Sequence, residues 1–337
     1  MDNSYYHRFI ADDRSYFSLI KKDIHKIAED AGFISARLNE INIILAELTS
    51  NLQKYSTGGA EILTTISGTD ENSFLEIICM DNGPGIANLS KVLEDGYSSS
   101  STIGHGLGSI KRLSEEFDIF SLQGWGTILL VRVYKTKNRI AQKSKIKFGA
   151  LVVPKQGEKV SGDGSYIIYN KKGFKVLVAD GLGHGPDAAF AVQHAIHAFR
   201  ICTESSAVEN IRFINSSIKK TRGVVANVFI YDAMKKKWNI CGVGNISTKL
   251  IGGILQKNYI PYNGIIGHNI PNSLNDVILD KDDYSQFIAC SDGIRSRWDV
   301  VKFPTILKKD PVIIAAAIYK EYARQNDDMS VITCKIL

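Results

Sequence analysis

The sequence predicts a two-domain chain of the α+β class, and three observations support this. Its 337 residues are about twice the ~150 of an average domain. A basic tract, Lys135 to Lys147, lies between two strand-like runs, Thr127 to Tyr134 and Phe148 to Val153. On either side of that tract, amphipathic helical patterns sit beside short apolar runs of strand length. Hydrophobic residues make up 44% and charged residues 23%, which excludes an intrinsically disordered chain.

In the first half, Leu38, Ile41, Leu45, Leu48, Leu52 and Tyr55 recur at spacings of three and four, which predicts a helix over 37–55 with one buried stripe. Beside the stripe, Glu47 and Asn51 are four apart and project to the same side, with Lys54 one turn further on. A carboxylate and a carboxamide on one face can activate a hydroxyl and hold a hard cation; equally, such residues are the ordinary wet face of a helix. Strand-like runs follow at 60–68 and 73–80, the second leading into Asp81-Asn82-Gly83-Pro84-Gly85-Ile86. Two glycines about a proline make a tight turn, and Asp81 stands beside it as an acceptor. A polar stretch, 88–103, leads to Gly104-His105-Gly106-Leu107-Gly108. Leu107, Ile110, Leu113 and Phe117 then predict a helix, so that the glycines form a loop at its N-terminus, where free N–H groups suit phosphate.

The tract at 135–147 carries six basic and no acidic residues and is expected to be a linker, with 139–147 as its core. Residues 1–134 carry 11 basic and 18 acidic residues, and 148–337 carry 24 and 17, so the net charge of +6 conceals an acidic half and a basic half. That asymmetry admits nucleic-acid binding, but the linker lacks interleaved aromatics or a binding motif, so neither nucleic acid nor membrane is the expected partner. Cys79, Cys202, Cys241, Cys290 and Cys334 lie mostly in apolar runs without a CxxC pair, and are expected to be buried free thiols. No basic, then apolar leader opens the sequence and no run of 18 apolar residues occurs, so a cytoplasmic location is expected.

In the second half, Phe174 to Ala179 reads as a strand ending at Asp180-Gly181, and Gln286 to Cys290 as one ending at Ser291-Asp292-Gly293. Met329 to Ile336 begins after Asp327-Asp328, and Ser161-Gly162-Asp163-Gly164 precedes a strand at 166–169. A single Asp-Gly is the ordinary signature of a hairpin turn. Four acidic sites at strand margins can converge, and such a cluster needs cations to neutralise it; oxygen donors without Cys or His imply Mg²⁺ or Mn²⁺. His184 follows Asp180 in a glycine-flanked turn. His194 and His197 on the predicted helix 187–202 lack a third ligand and read as its exposed side, and His25 reads as a surface histidine.

The ordered motifs of residues 10–134 resemble the GHKL ATPase superfamily. Glu47 to Ser56 (ELTSNLQKYS), Glu94-Asp95-Gly96-Tyr97-Ser98 and Gly104 to Glu116 (GHGLGSIKRLSEE) look like its RsbT-type switch kinases. The resemblance implies an α/β sandwich of the Bergerat type over 1–138. It implies Asn51 on a Mg²⁺ that bridges the phosphates of ATP, and Asp81 accepting from the adenine amino group. Lys54, Gly83, Gly85, Gly104, Gly106, Gly108 and Thr127 would complete the nucleotide site, and Glu47 would be the general base toward a protein hydroxyl. No helix pair bearing a phosphoacceptor histidine precedes these motifs, so autophosphorylation on histidine is not expected.

Ser-Gly-Asp at 161, Ala-Asp-Gly-Leu-Gly-His-Gly at 179, Gly242-Val243-Gly244-Asn245-Ile246, Ser-Asp-Gly at 291 and Asp-Asp-Met-Ser at 327 resemble the PPM phosphatases in their SpoIIE and RsbX branch. This implies a β-sandwich flanked by helices over 148–337. It also implies two metals, Mn²⁺ or Mg²⁺, with Asp180 bridging, the Gly181 carbonyl on one, Asp292 and Asp327 on the other, and Asp163 bound directly or through water. Ser161 departs from the commoner Gly-Gly-Asp, and Asp328 stands where many relatives have Asn, as a support to the ligands. Together the resemblances imply a bifunctional Ser/Thr kinase and phosphatase acting on a STAS-domain partner, with a homodimer allowed. The rival expectation is a phosphatase gated by a first domain that binds ATP or a regulator without transferring phosphate.

Overall fold

The computed structural model describes residues 5–89, 92, 103–137, 145–170 and 172–337. The chain divides into two compact units, one of Tyr6–Gln142 with Val300–Ala316, the other of Met1–Tyr5, Lys143–Asp299 and Ala317–Leu337. The linear division at 1–138, 139–147 and 148–337 therefore differs in two places, because Val300–Ala316 belongs to the first unit and Met1–Tyr5 to the second. Of the expected linker, residues 139–144 lie outside the described residues.

In the first unit, β1 (His7–Ile10), β2 (Ala60–Ser67), β3 (Phe74–Asp81), β4 (Glu116–Leu122) and β5 (Gly126–Tyr134) form an antiparallel sheet ordered β1-β2-β3-β5-β4. Helices α1 (Phe17–Asp30), α2 (Ser35–Tyr55) and α3 (Ile103–Leu113) accompany it. Of the stripe expected of α2, Leu38, Ile41, Leu45, Leu48 and Leu52 are buried and, joined by Ile44, pack with Ile24 of α1 and with Ile62, Ile77, Leu129 and Val131 of the sheet, while Tyr55 is half-buried. Each such side chain stabilises by roughly 1.5–3 kcal/mol.

α3 differs from expectation. The glycines Gly104, Gly106 and Gly108 lie inside the helix, and it stops at Leu113, four residues before Phe117, which belongs to β4. The apolar spacing of Leu107, Ile110 and Leu113 outweighs the local glycine penalty, because tertiary burial of Leu107 and Ile110 is worth more than the roughly 1 kcal/mol each glycine costs.

Segment 300–316 is held within the first unit by aromatic and ionic contacts. Phe303 packs against Trp125 and Phe120, with centroids 5.1 and 6.2 Å apart. Asp310 accepts from the two terminal guanidinium nitrogens of Arg132, at 2.9 and 3.1 Å, and from the amide of Val312 at 2.9 Å. Arg132 also pairs with Glu76 and with Glu116, and the buried Tyr6 hydroxyl donates to Glu76. Asp118 takes Lys309 Nζ and the Asp310 amide, each at 2.9 Å.

The second unit is a sandwich of two antiparallel sheets. One is ordered β13-β10-β9-β8-β7 and the other β12-β11-β14-β15-β6. The strands are β6 (Ile146–Val153), β7 (Asp163–Asn170), β8 (Gly173–Gly181), β9 (Val224–Asp232), β10 (Lys237–Val243), β11 (Ser247–Gly252), β12 (Leu255–Tyr259), β13 (Val277–Asp280), β14 (Gln286–Cys290) and β15 (Met329–Ile336). Strand β8 shows how both faces are filled. Phe174, Val176 and Val178 join Trp238, Phe287 and Ile332 in the core between the sheets, while Leu177 and Ala179 pack with α4 (Pro186–Ile201) and α5 (Ala207–Ser217). Burial on two faces explains the apolar run Val176–Ala179, and Phe229 stacks on Phe287 across the core at 3.9 Å. Helix α6 (Pro311–Tyr322) contains the division between the units, at Ala316–Ala317. All five cysteines are buried and free, and no described helix is long and apolar enough to cross a membrane.

Candidate functional site

In the first unit a cavity of about 120 Å³ is lined by Asn51, Tyr55, Asp81, Pro84, Leu107 and Thr127, among others. Gly85 and Ile86 are also in its wall. The register brings its polar members together, since Asp81 of β3 pairs with Thr127 of β5. Asp81 Oδ1 accepts the Gly83 amide at 2.7 Å, which orders the turn. Thr127 Oγ1 lies 2.9 Å from Ser121 Oγ, which accepts the Ile86 amide at 2.8 Å, tying the turn to β4.

The glycines of this turn are structurally required. A Cβ on Gly83 would lie 2.4 Å from the Tyr55 carbonyl oxygen; Gly85 has φ +73° and its Cβ would lie 2.0 Å from that of Leu122. Gly106 is the most informative position: a Cβ there would stand 2.8 Å from Glu47 Oε2 and 3.6 Å from Asn51 Oδ1. The two oxygens four residues apart on α2 thus face one point on α3. Gly104 and Gly108 flank it in the same helix, with Gly108 buried. Lys54 is exposed and absent from the cavity wall. The motif at 94–98 and most of the stretch 88–103 lie outside the described residues.

In the second unit Asp163 and Asp180 are directly paired across β7 and β8. Counting by twos from Val178 and Ile167, both belong to the inter-sheet core, so both carboxylates fall on the inner face at the end of the sandwich. Asp163 is 1% exposed, and its Oδ2 has no hydrogen-bond partner among the described residues. Burial pushes its carboxyl up to about 7, against the pull of the Ser291 and Ser330 hydroxyls. Asp180 is raised well above the usual carboxylate range, first by burial and then by the charges of Asp163, Asp292, Asp327 and Asp328. The other three expected margins therefore all act on the carboxylate of the fourth. Gly181 stands where a Cβ would meet the Ala188 carbonyl oxygen of α4 at 2.5 Å.

Asp328 has a supporting place, since its oxygens accept the amides of Lys155 and Gly162, each at 2.8 Å, and so secure the approach to Asp163. Asp327 Oδ1 accepts the Asp328 amide at 3.0 Å, and exposed Asp292 receives the Asn245 side-chain amide at 3.1 Å. Asn245 was legible only as part of a motif; its pairing with Asp292 joins residues 47 positions apart and leaves no local signal. His184 Nδ1 is 2.8 Å from Glu158 Oε1, while His194 and His197 are exposed. His25 is on the surface beside Asn42.

Among the described residues no three His, Cys, Asp or Glu side chains form a ready metal cage. The donors nevertheless fit a hard cation that keeps waters in its shell, because a buried carboxylate oxygen without a partner, and a neighbour whose carboxyl is raised first by burial and then by like charges, both gain from one.

No family model matches the chain. The first unit thus holds a candidate nucleotide pocket and the second an aspartate cluster. The serine/threonine-protein kinase RsbT of Bacillus subtilis (strain 168) is 36% identical over 101 residues, 30% of this chain and 75% of that protein. The chain belongs to the RsbT kinase family, and the motifs carrying that resemblance lie in the first unit. A solved structure from work on the bacterial stressosome, described as a modular system adapted to control secondary messenger signalling, is 26% identical. It covers 57% of this chain and 100% of its own, with a TM-score of 0.52. RsbX in complex with magnesium is 22% identical over 57% of this chain and 96% of its own, with a TM-score of 0.49.

Proposed function

We propose that the chain is a two-activity regulator, an ATP-dependent Ser/Thr kinase in the first unit and a metal-dependent Ser/Thr phosphatase in the second, acting on a STAS-domain protein. The kinase half rests on the convergence of Glu47 and Asn51 on Gly106 beside a cavity that holds Asp81. In this reading Asp81 accepts from the adenine amino group, and Asn51 Oδ1 would help hold a Mg²⁺, which would neutralise phosphate charge when bound. Glu47 takes the proton of the partner's Ser or Thr hydroxyl as that oxygen bonds to the γ-phosphorus and the bond to the β–γ bridging oxygen breaks, releasing ADP.

The phosphatase half rests on the Asp163–Asp180 pair. Asp163, Asp180, Asp292, Asp327 and the Gly181 carbonyl would hold Mn²⁺ or Mg²⁺, which supplies charge neutralisation and Lewis acidity when bound. The chain's own groups prepare that site. Asp328 fixes the loop before Asp163, and Asn245 orients Asp292. Water replaces the seryl or threonyl oxygen on phosphorus, returning the hydroxyl and releasing inorganic phosphate. Two opposed activities in one chain require alternating control, since otherwise ATP is consumed without net change.

Purified protein with Mg-ATP and a STAS-domain partner is expected to add one phosphate by mass, and Asn51→Ala to abolish it. Asp180→Asn is expected to abolish Mn²⁺-dependent release from the phosphorylated partner. Transfer that survives Asn51→Ala, or release that survives Asp180→Asn, would remove the corresponding half. Nucleotide binding that alters release without any transfer would identify the first unit as a non-catalytic gate.

A further inference from the structure

A second polar cavity, of about 350 Å³, lies wholly within the second unit; its wall includes Ser247, Lys249, Asn258, Arg297, Trp298 and Asp299. It arises from the pleat of β11. Leu250 belongs to the core between the sheets, so Ser247, Lys249 and Ile251 take the opposite face. Trp298 is 1% exposed and is held by its indole N–H, which donates to Ser247 Oγ at 3.1 Å. Lys249 Nζ sits 4.8 Å from the indole centroid and 3.0 Å from Asp299 Oδ2. The result is a fixed floor of indole and ammonium. At its edge stands Arg297, exposed and with no hydrogen bond or ion pair to any described residue.

The position of this cavity ties it to the aspartate cluster. Ser247 pairs with Cys290, two residues before Asp292, and Asn245, two residues before Ser247, donates to Asp292. Two residues of extended chain span roughly 7 Å, the reach of a side chain near a phosphorylated residue. The wall has two cations to one carboxylate, and Lys249 already occupies that carboxylate. Residues 148–337 are also basic overall, with 24 basic against 17 acidic residues. An anionic group from a protein substrate complements all of these.

We propose that this cavity is a specificity subsite of the phosphatase unit, in which Arg297, backed by Lys249 and Asn258, receives an aspartate or glutamate side chain of the substrate protein a few residues from its phosphoserine or phosphothreonine. The proposal rests on the phosphatase reading. It deepens that reading by naming the substrate's chemistry: an acidic flank.

The test uses the full chain with Mn²⁺ and two phosphoserine peptides, one with Asp and Glu flanks and one with Ser and Ala flanks. The acidic peptide is expected to have a kcat/KM about tenfold higher, carried by KM, and Arg297→Glu is expected to bring the ratio to one or below. Equal kcat/KM for the two peptides in the unaltered protein, or a ratio that Arg297→Glu leaves in place, would overturn the subsite. Binding of the unphosphorylated acidic peptide, followed by tryptophan fluorescence, needs no turnover. A change abolished by Arg297→Glu supports the subsite even if neither peptide is hydrolysed, a result that would instead remove the phosphatase reading. No change with the acidic peptide overturns the subsite, and an equal change with inorganic phosphate alone assigns the cavity to free anion.

Discussion

Gly106 has only a hydrogen where any other residue would place a Cβ 2.8 Å from Glu47 Oε2. Its neighbours make the consequence specific, since both candidate oxygens of α2 face the space a methyl group would fill. Alanine is the better helix former by roughly 0.5–1 kcal/mol. Gly106→Ala is therefore expected to leave the melting temperature of the protein unchanged or raised, while lowering phosphate transfer to the partner at least tenfold. Transfer rates that match the unaltered protein would separate Gly106 from the site. The pair Glu47 and Asn51 was legible in sequence because i and i+4 share a helix face. The role of Gly106 was not: its glycine pattern reads as a phosphate loop, and only the packing of α3 on α2 shows that it is a helical close approach.

At the scale of elements, segment 300–316 depends on a few part-buried polar contacts. Asp310 caps the start of α6 by accepting the Val312 amide, and it takes a two-pronged pair from Arg132, itself 8% exposed. Asp310→Ala removes the cap and leaves Arg132 with Glu76 and Glu116 alone. A loss of about 2–4 kcal/mol in urea unfolding is expected, from a cap worth ~1 kcal/mol and a partly broken buried pair. Lys26→Ala, which removes an exposed pair with Asp30 at 3.6 Å, is expected to cost less than about 0.5 kcal/mol. Equal costs for the two would show that the segment is not held by Asp310. Nothing in the local pattern of residues 300–316 shows which unit they join, because their partners Arg132, Asp118 and Phe120 lie about 180 residues away in sequence.

For the whole molecule, the aspartate cluster links stability to pH. The Asp163 carboxyl is raised from its ordinary 3.8 to about 7, and Asp180 is raised too, so the folded state holds protons that the unfolded chain releases. The stability this contributes is present at the acid end of that window and is lost as pH rises through about 7. In a chelator, Tm is expected to fall between about pH 5 and pH 7.5, and Mn²⁺ or Mg²⁺ to restore it at the higher pH. A Tm in chelator that rises across that range, or that the ions leave unmoved, would remove the cluster as a cation site.

By itself the sequence determined the helix stripe of α2, the strands that end at Asp81, Asp180 and Asp292, the basic tract at 135–147, and the resemblance to switch kinases and to PPM phosphatases. These are carried by residue type, order and short periodicity, which the backbone imposes on a few neighbours at a time. Only the tertiary structure decided that Asp163 opposes Asp180 on the inner face, that Asn245 reaches Asp292, that 300–316 belongs with the first unit, and that Lys249, Trp298 and Arg297 surround one cavity. Each depends on sheet register and packing between distant segments, where a shift of one residue would turn every side chain to the other face.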